Sequence, residues 1–283
     1  CVLLLMALGL AIIFGQMGVI NMAHGEFLTI GAYSTYLLSK LTTSYAPALQ
    51  PYYFFGAILL AFLVAYFVGY WVERLMISKL YKRPLDTLLA TWGLSLIMQQ
   101  IFRSTFGPKE VTATLPDWLM GSVQPFEGVD IPLNGLFIMA MTGVLTGTIF
   151  ILLYRSRWGL QVRATMQNRL MSGAVGINTR KVDRTTFALG CGVAGVAGAA
   201  FTTIGSTGPT SGSLYIVDTF LTVVFGGAQS LIGTIVSAFA IAQTQSTAEF
   251  FMTGSLAKVM TLSIVILILL MRPQGLFAVK VRK

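Results

Sequence analysis

Charge is what this sequence has least of. Asp, Glu, Lys and Arg together make up 10% of the 283 residues, while 55% are hydrophobic and the mean hydropathy is +0.77. Soluble domains carry roughly 25% charged residues, so this chain has too little polar surface to coat a globule in water. Histidine occurs once and cysteine twice, which removes metal clusters and disulfide scaffolds from consideration. No G-x-x-x-x-G-K-[ST] phosphate loop is present, so nucleotide hydrolysis is not expected of this chain. No Ser/His/Asp set can be assembled with any specificity. Disorder is excluded as well, because 19 Phe, 10 Tyr and 29 Gly are too rich in order-promoting residues. What remains is an all-α polytopic membrane protein.

The net charge of +9 is not spread like a nucleic-acid footprint. Fifteen of the 19 basic residues fall in three short segments between or after apolar runs. Arg74, Lys79, Lys82 and Arg83 form the first group. Arg155, Arg157, Arg163, Arg169, Arg180, Lys181 and Arg184 form the second, and Arg272, Lys280, Arg282 and Lys283 the third. Loops kept on the cytoplasmic side of a bilayer have this bias. Cys191 reads as a small buried hydrophobe. Cys1 at the start suggests a lipoprotein, but the uncharged run that follows, Val2 to Ile20, favours a start trimmed from a longer precursor.

A span needs about 20 mostly apolar residues. Val2–Ile20, Phe27–Leu38, Tyr53–Val72, Leu85–Phe102, Gly135–Tyr154, Thr186–Ile204 and Ser255–Met271 are read as membrane segments. The loop 103–134 carries Glu110, Asp117, Glu127 and Asp130 against Arg103 and Lys109, which places it outside. Gly205–Tyr215 reads as a polar outer turn. If 216–246 were one span, the basic tail would end up outside, so that stretch is expected to break at Gly226-Gly227 and return. Irregular backbone at membrane depth has to be buried in protein or line a wet cavity. The expectation is about eight segments, some broken or re-entrant, in one domain covering 1–283. Lys258 can snorkel at the outer end of the last span. Ile12-Ile13-Phe14-Gly15 faintly echoes Val223-Val224-Phe225-Gly226, as paired interrupted segments do in transporters.

Polar groups inside a bilayer are expensive and mark functional candidates. Asn21, His24 and Glu26 cluster at an expected helix break. Two readings stay open: they line or gate a path, or they cap the helix that follows. Trp92, Gln99 and Gln100 form a second polar set, suited either to an uncharged solute or to gluing helices together. Gly190, Gly192, Gly195 and Gly198, and likewise Gly143 with Gly147, are expected to let helices approach closely. Asp218 reads as an N-cap. The basic loop 155–184 contains a short amphipathic helix pattern, with Leu170 and Met171 followed by Ala174 and Val175, and with Gly176 ending it. That helix suits either a docking surface for a partner or a place in the membrane interface.

The stretch Gly18-Val-Ile-Asn-Met-Ala-His-Gly-Glu26 resembles a signature of permease subunits in branched-chain amino-acid-type ABC importers. Arg163 to Asn178, closing on Gly176-Ile177-Asn178, resembles their cytoplasmic coupling helix. Phe225-Gly226-Gly227 and the ending Met271-Arg-Pro-Gln-Gly-Leu276 fit the same family, and the likeness runs over nearly the whole chain. Arg83 to Ser95 and Gly205 to Asp218 are similar to the urea-transporting branch, specifically the first of its two permease subunits. One departure is Leu170-Met171-Ser172, where a charged residue is expected after Arg169. It puts the detail of the ATPase contact in doubt.

The resemblance implies a fold like that of type II ABC importer permeases in the bacterial inner membrane, with a cytoplasmic C-terminus. It implies a second permease subunit, two cytoplasmic ATPase subunits that hold the ATP and Mg, and a periplasmic or extracellular solute-binding protein. No cofactor belongs to this chain itself. The expected function is half of the translocation path for urea. The expected path residues are Asn21, His24, Thr91, Trp92 and Gln99. Arg163, Asn168, Arg169, Ala174, Gly176, Ile177 and Asn178 are expected at the ATPase coupling site. Alternatives are an importer of branched-chain amino acids or short-chain amides, a stand-alone channel or secondary transporter, and a membrane scaffold.

Overall fold

The most glycine- and alanine-rich helix of the chain, not the most apolar one, forms its centre. The computed structural model describes residues 1–81, 83–126, 129–272 and 274–277. Lys82, Glu127, Pro273, Lys280, Arg282 and Lys283, named above, lie outside the described residues. The helices are α1 (Val2–Met17), α2 (His24–Tyr45), α3 (Tyr53–Val72), α4 (Ser78–Leu80), α5 (Pro84–Phe106) and α6 (Leu133–Arg155). Next come α7 (Arg157–Gln167), α8 (Arg169–Ala174), α9 (Thr179–Phe201), α10 (Ser213–Gly226), α11 (Leu231–Phe251) and α12 (Gly254–Met271). A π-helical turn, Glu73–Ile77, joins α3 to α4 in one continuous run.

In α9, Thr186 to Phe201 is buried almost throughout, and α1, α2 and α3 all pack on it. A methyl group on Gly190 would lie 2.6 Å from the Gly9 carbonyl oxygen, and one on Gly195 would lie 2.5 Å from that of Ala61. Gly198 is pressed closer still to the Leu28 carbonyl. Small residues therefore set the approach of three helices to the fourth, as expected where lipid supplies no hydrophobic drive between helices. The pair Gly143 and Gly147 is a correction: on both, an added methyl would meet nothing within the described residues.

Tyr53–Leu80, Leu133–Arg155, Thr179–Phe201 and Gly254–Met271 are long and apolar enough to cross a membrane. Val2–Gly15 and Ser213–Gly226 are shorter apolar helices. The expected all-α polytopic fold with broken segments is what the chain adopts. Loop 103–134 adds one small exception, a hairpin of β1 (Ser122–Phe126) and β2 (Val129–Pro132). That loop is tied down where Tyr53 donates to the Thr114 carbonyl at 2.6 Å and Trp118 to that of Pro51 at 2.7 Å.

Both expected breaks are present. Gly18 ends α1 with φ 64°, a conformation glycine adopts at no steric cost. The chain then runs back along α1, so that His24 opens α2 beside Met6, with its Nε2 3.1 Å from the Met6 carbonyl oxygen. Met6 lies eleven residues before the end of α1, about 16 Å at helical rise, so α2 begins deep inside the bundle. The second break falls at Gly227, φ 95°, between α10 and α11. Leu276 and Phe277 donate to the carbonyls of Phe225 and Gly226 at 2.8 and 3.3 Å, so the closing motif straps the end of α10.

Two further expectations are corrected. Gly205–Tyr215 is no surface turn: Thr207 and Ser211 are buried, and the Gly212 amide donates to Thr29 Oγ1 at 3.0 Å. Asp218 caps nothing; α10 begins at Ser213, and Asp218 inside it pairs with Lys258 at 2.9 Å. Lys258, half-exposed near the start of α12, also reaches the Leu214 carbonyl. The short amphipathic pattern of Leu170, Met171 and Ala174 is present as α8, and Gly176 ends it at φ 86°. Asn168 is extended at φ −153° and divides α7 from α8.

Candidate functional site

On α5, Thr87, Thr91, Ser95 and Gln99 recur at every fourth residue. This spacing lines them up on one face of a helix, and that face looks onto the start of α2. Thr91, Ser95 and Glu26 are buried, and Gln99 is half-buried. Glu26 is the hub. Its Oε1 accepts from Ser95 Oγ at 3.0 Å and from Gln99 Nε2 at 2.8 Å. Thr91 Oγ1 accepts from the Met22 amide at 3.1 Å and donates to the Leu88 carbonyl at 3.0 Å. The irregular backbone before α2 is thereby satisfied partly by a neighbouring helix, which is what bilayer burial demands.

Asn21 Oδ1 accepts from the Ala23 amide at 3.1 Å, a local turn that prepares the helix start. Because the Met6 carbonyl can only accept, His24 Nε2 carries the proton in that contact, and Nδ1 is left as a lone-pair acceptor in the neutral ring. Three buried atoms of these residues have no partner among the described residues: Asn21 Nδ2, His24 Nδ1 and Glu26 Oε2. One is a donor and two are acceptors, all within six residues of chain. Such groups are costly when unpaired. The six side chains include no Lys or Arg.

Of the expected path residues, Thr91 and Gln99 meet the start of α2 at Met22 and Glu26, Asn21 sits in the turn before it, and His24 faces the other way, towards Met6 of α1. Trp92 is 54% exposed and turns to the side of α5 away from α2, because it follows Thr91 by a single residue. Gln100 is exposed in the same way. Sequence reasoning weighed Glu26 only as a lining or capping group and omitted Ser95. The four-residue polar spacing on α5 was the signal available for the latter.

At the end of the bundle holding the seven-base loop, the expected coupling residues divide by role. Asn168 caps α8 through the Met171 amide at 3.0 Å, and Asn178 caps α9 through the Lys181 amide at 3.1 Å. Gly176 turns the chain at φ 86°, and the Ile177 amide closes onto the Ser172 carbonyl at 3.0 Å. Arg163 stays inside the loop, its guanidinium 5.2 Å over the Tyr154 ring. Arg169 pairs with Asp183. Leu170, Met171, Ala174 and Val175 are left exposed, Leu170 at 88%.

The chain was compared with known proteins. It is 28% identical over 286 residues to the high-affinity branched-chain amino acid transport system permease protein LivH of Salmonella typhimurium, covering 96% of this chain and 90% of the relative. Against the corresponding protein BraD of Pseudomonas aeruginosa the identity is 26% over 276 residues, with the same coverages. Against a probable branched-chain amino acid transport permease protein of Methanocaldococcus jannaschii it is 27% over 299 residues, covering 99% of this chain and 90% of the relative. No solved structure matches. A family profile described as "Branched-chain amino acid transport system / permease component" matches residues 1–271. The chain is thus a transport subunit and belongs to the family of branched-chain amino acid transport system permease components.

Proposed function

We propose that this chain forms half of the translocation path of an ATP-driven importer, and that the solute meets the Asn21, His24, Glu26, Thr91, Ser95 and Gln99 cluster on its way. One observation carries the reading: buried, unpartnered donor and acceptor atoms lie at a helix start deep in the membrane bundle. ATP and Mg belong to two ATPase subunits on the basic side, which dock on the exposed surface of α8. A second permease subunit and a solute-binding protein on the opposite side complete the assembly. With the basic loops inside, the C-terminus faces the cytoplasm of a bacterial inner membrane.

The solute is a small molecule rich in N–H groups. The names of the relatives favour branched-chain amino acids. The chemistry of the cluster favours a neutral solute, because an amino-acid carboxylate entering beside Glu26 meets no cationic side chain among the six. Urea is neutral and presents four N–H donors and one carbonyl. The segment resembling the urea branch, Arg83 to Ser95, supplies Thr91 and Ser95 to this site. The test is uptake of labelled urea and labelled leucine in cells with and without this chain, each with an ATP-depleted arm. Loss of ATP-dependent urea uptake alone supports the neutral-solute reading. Loss of leucine uptake alone assigns the amino-acid reading. Uptake that survives ATP depletion and vanishes only with the ion gradient overturns both.

A further inference from the structure

At the basic end, five side chains that play no part in the solute cluster are joined in one connected set. Glu73 opens the π-helical turn at the end of α3 and is 1% exposed. Both of its oxygens are engaged: Oε1 accepts from the Tyr81 hydroxyl at 2.6 Å, and Oε2 accepts from Arg184 Nε at 3.1 Å. The Tyr81 ring in turn lies 5.0 Å under the guanidinium of Arg169, the first residue of α8. Arg169 also pairs with Asp183 of α9, whose side chain is 4% exposed. A path of charge and ring contacts thus runs from α8 to α3 and to α9, the helix on which α1, α2 and α3 all pack.

Three physical features make this set more than a surface salt bridge. Glu73 and Asp183 are carboxylates out of water, and removing the partner of a buried charge is strongly unfavourable, so the contacts stay closed. Arginine both stacks on an aromatic face and forms a directed ion pair, which lysine does not reproduce. Finally, α8 has only six residues, far below the length at which a helix holds itself in water. Its orientation therefore depends on what it is fastened to. A π-turn at the receiving end also fits, since such turns gather at functional positions.

We propose that Glu73, Tyr81, Asp183 and Arg184 are positioning residues that act through Arg169. They clamp α8 to spans α3 and α9, so that a push on α8 reaches the core helix and is not absorbed in the loop. This rests on the reading of α8 as the ATPase dock. A loose clamp leaves the ATPases bound and hydrolysing while solute transfer falls, a signature that simple structural damage does not give.

The experiment uses the whole importer, purified through a tag on this chain and reconstituted in liposomes. ATP hydrolysed and labelled urea or leucine taken up are measured on the same sample. Arg169→Ala and Asp183→Asn are expected to lower solute moved per ATP about tenfold, within the usual range of coupling between sites, with hydrolysis little changed. The charge-swapped pair Arg169→Asp with Asp183→Arg restores the ion pair and not the stack on Tyr81, and is expected to recover part of the ratio. Tyr81→Phe, which removes one hydroxyl and keeps the ring, guards against variants that fail to fold and is expected to give a smaller loss. An unchanged ratio in assembled Arg169→Ala, Asp183→Asn and Tyr81→Phe complexes overturns the clamp. So does a parallel fall of uptake and hydrolysis that the swap does not recover. The docking reading is checked separately with Leu170→Glu and Met171→Glu: ATPase subunits that still co-purify and respond to solute overturn it whatever the clamp variants show.

Discussion

Replacing Glu26 by Gln tests the solute cluster with the least disturbance to the fold. The two side chains have nearly the same volume. The remaining carbonyl oxygen of Gln can still accept from Ser95 Oγ and Gln99 Nε2, which now meet Glu26 Oε1 at 3.0 and 2.8 Å. What changes is the second oxygen, buried and without a partner among the described residues, which becomes an NH₂ donor. A hydrogen bond from a solute N–H to a carboxyl oxygen contributes about 0.5–1.5 kcal/mol, and a donor facing that N–H in its place adds the cost of an unmet group, about 1–3 kcal/mol. Its loss, together with the inversion of a donor–acceptor contact, corresponds to roughly a ten- to hundredfold fall in uptake at low solute concentration. The assay is initial-rate uptake into proteoliposomes over a range of solute concentrations, with thermal unfolding of the same preparation. The expected result is reduced uptake with a melting temperature close to that of the parent. Uptake within about twofold of the parent, set against the predicted range, refutes the role of Glu26 in the path. A large loss of melting temperature would instead make Glu26 structural.

Gly198→Ala places a methyl against the Leu28 carbonyl; overpacking of this kind costs about 1–3 kcal/mol, seen as a lower melting temperature in detergent. By contrast, Gly143→Ala and Gly147→Ala meet nothing within the described residues and should hold or raise the melting temperature of the isolated chain, since alanine is the better helix former. Lys258→Met strips Asp218 of its 2.9 Å partner and is expected to destabilise more than the double variant with Asp218→Asn, because an unpaired inward-facing carboxylate costs more than none. Asn168→Ala removes the cap of α8, a loss of about 1 kcal/mol, and is expected to speed hydrogen exchange across 169–176 while leaving α9 protected.

Much of the fold was legible because the bilayer imposes it locally. Apolar length picked out the four helices long and apolar enough to cross, and basic loops with the parity of crossings required a break at Gly226-Gly227, where the backbone turns at Gly227. The glycine run of α9 announced close packing, and the packing is there. Gly143 and Gly147 have the same spacing and meet nothing, because the pattern says that a helix can be approached and not by what. Asp218 followed a polar turn and so read as a cap, but the turn dips inward and α10 begins five residues earlier.

The sequence by itself determined that this is a polytopic helical membrane protein, which end is basic, and where the backbone breaks. These follow from composition, charge and glycine placement along a single strand of chain. Tertiary structure alone decided that Glu26 gathers Ser95 and Gln99 from 69 and 73 residues away. It also decided that Trp92 turns away from the cluster, and that Arg169 and Arg184 are drawn to Asp183 and Glu73. The physical reason is shared by all of them. A buried polar group is defined by the partner that satisfies it, and that partner is set by helix crossings and rotations that no local stretch of residues encodes.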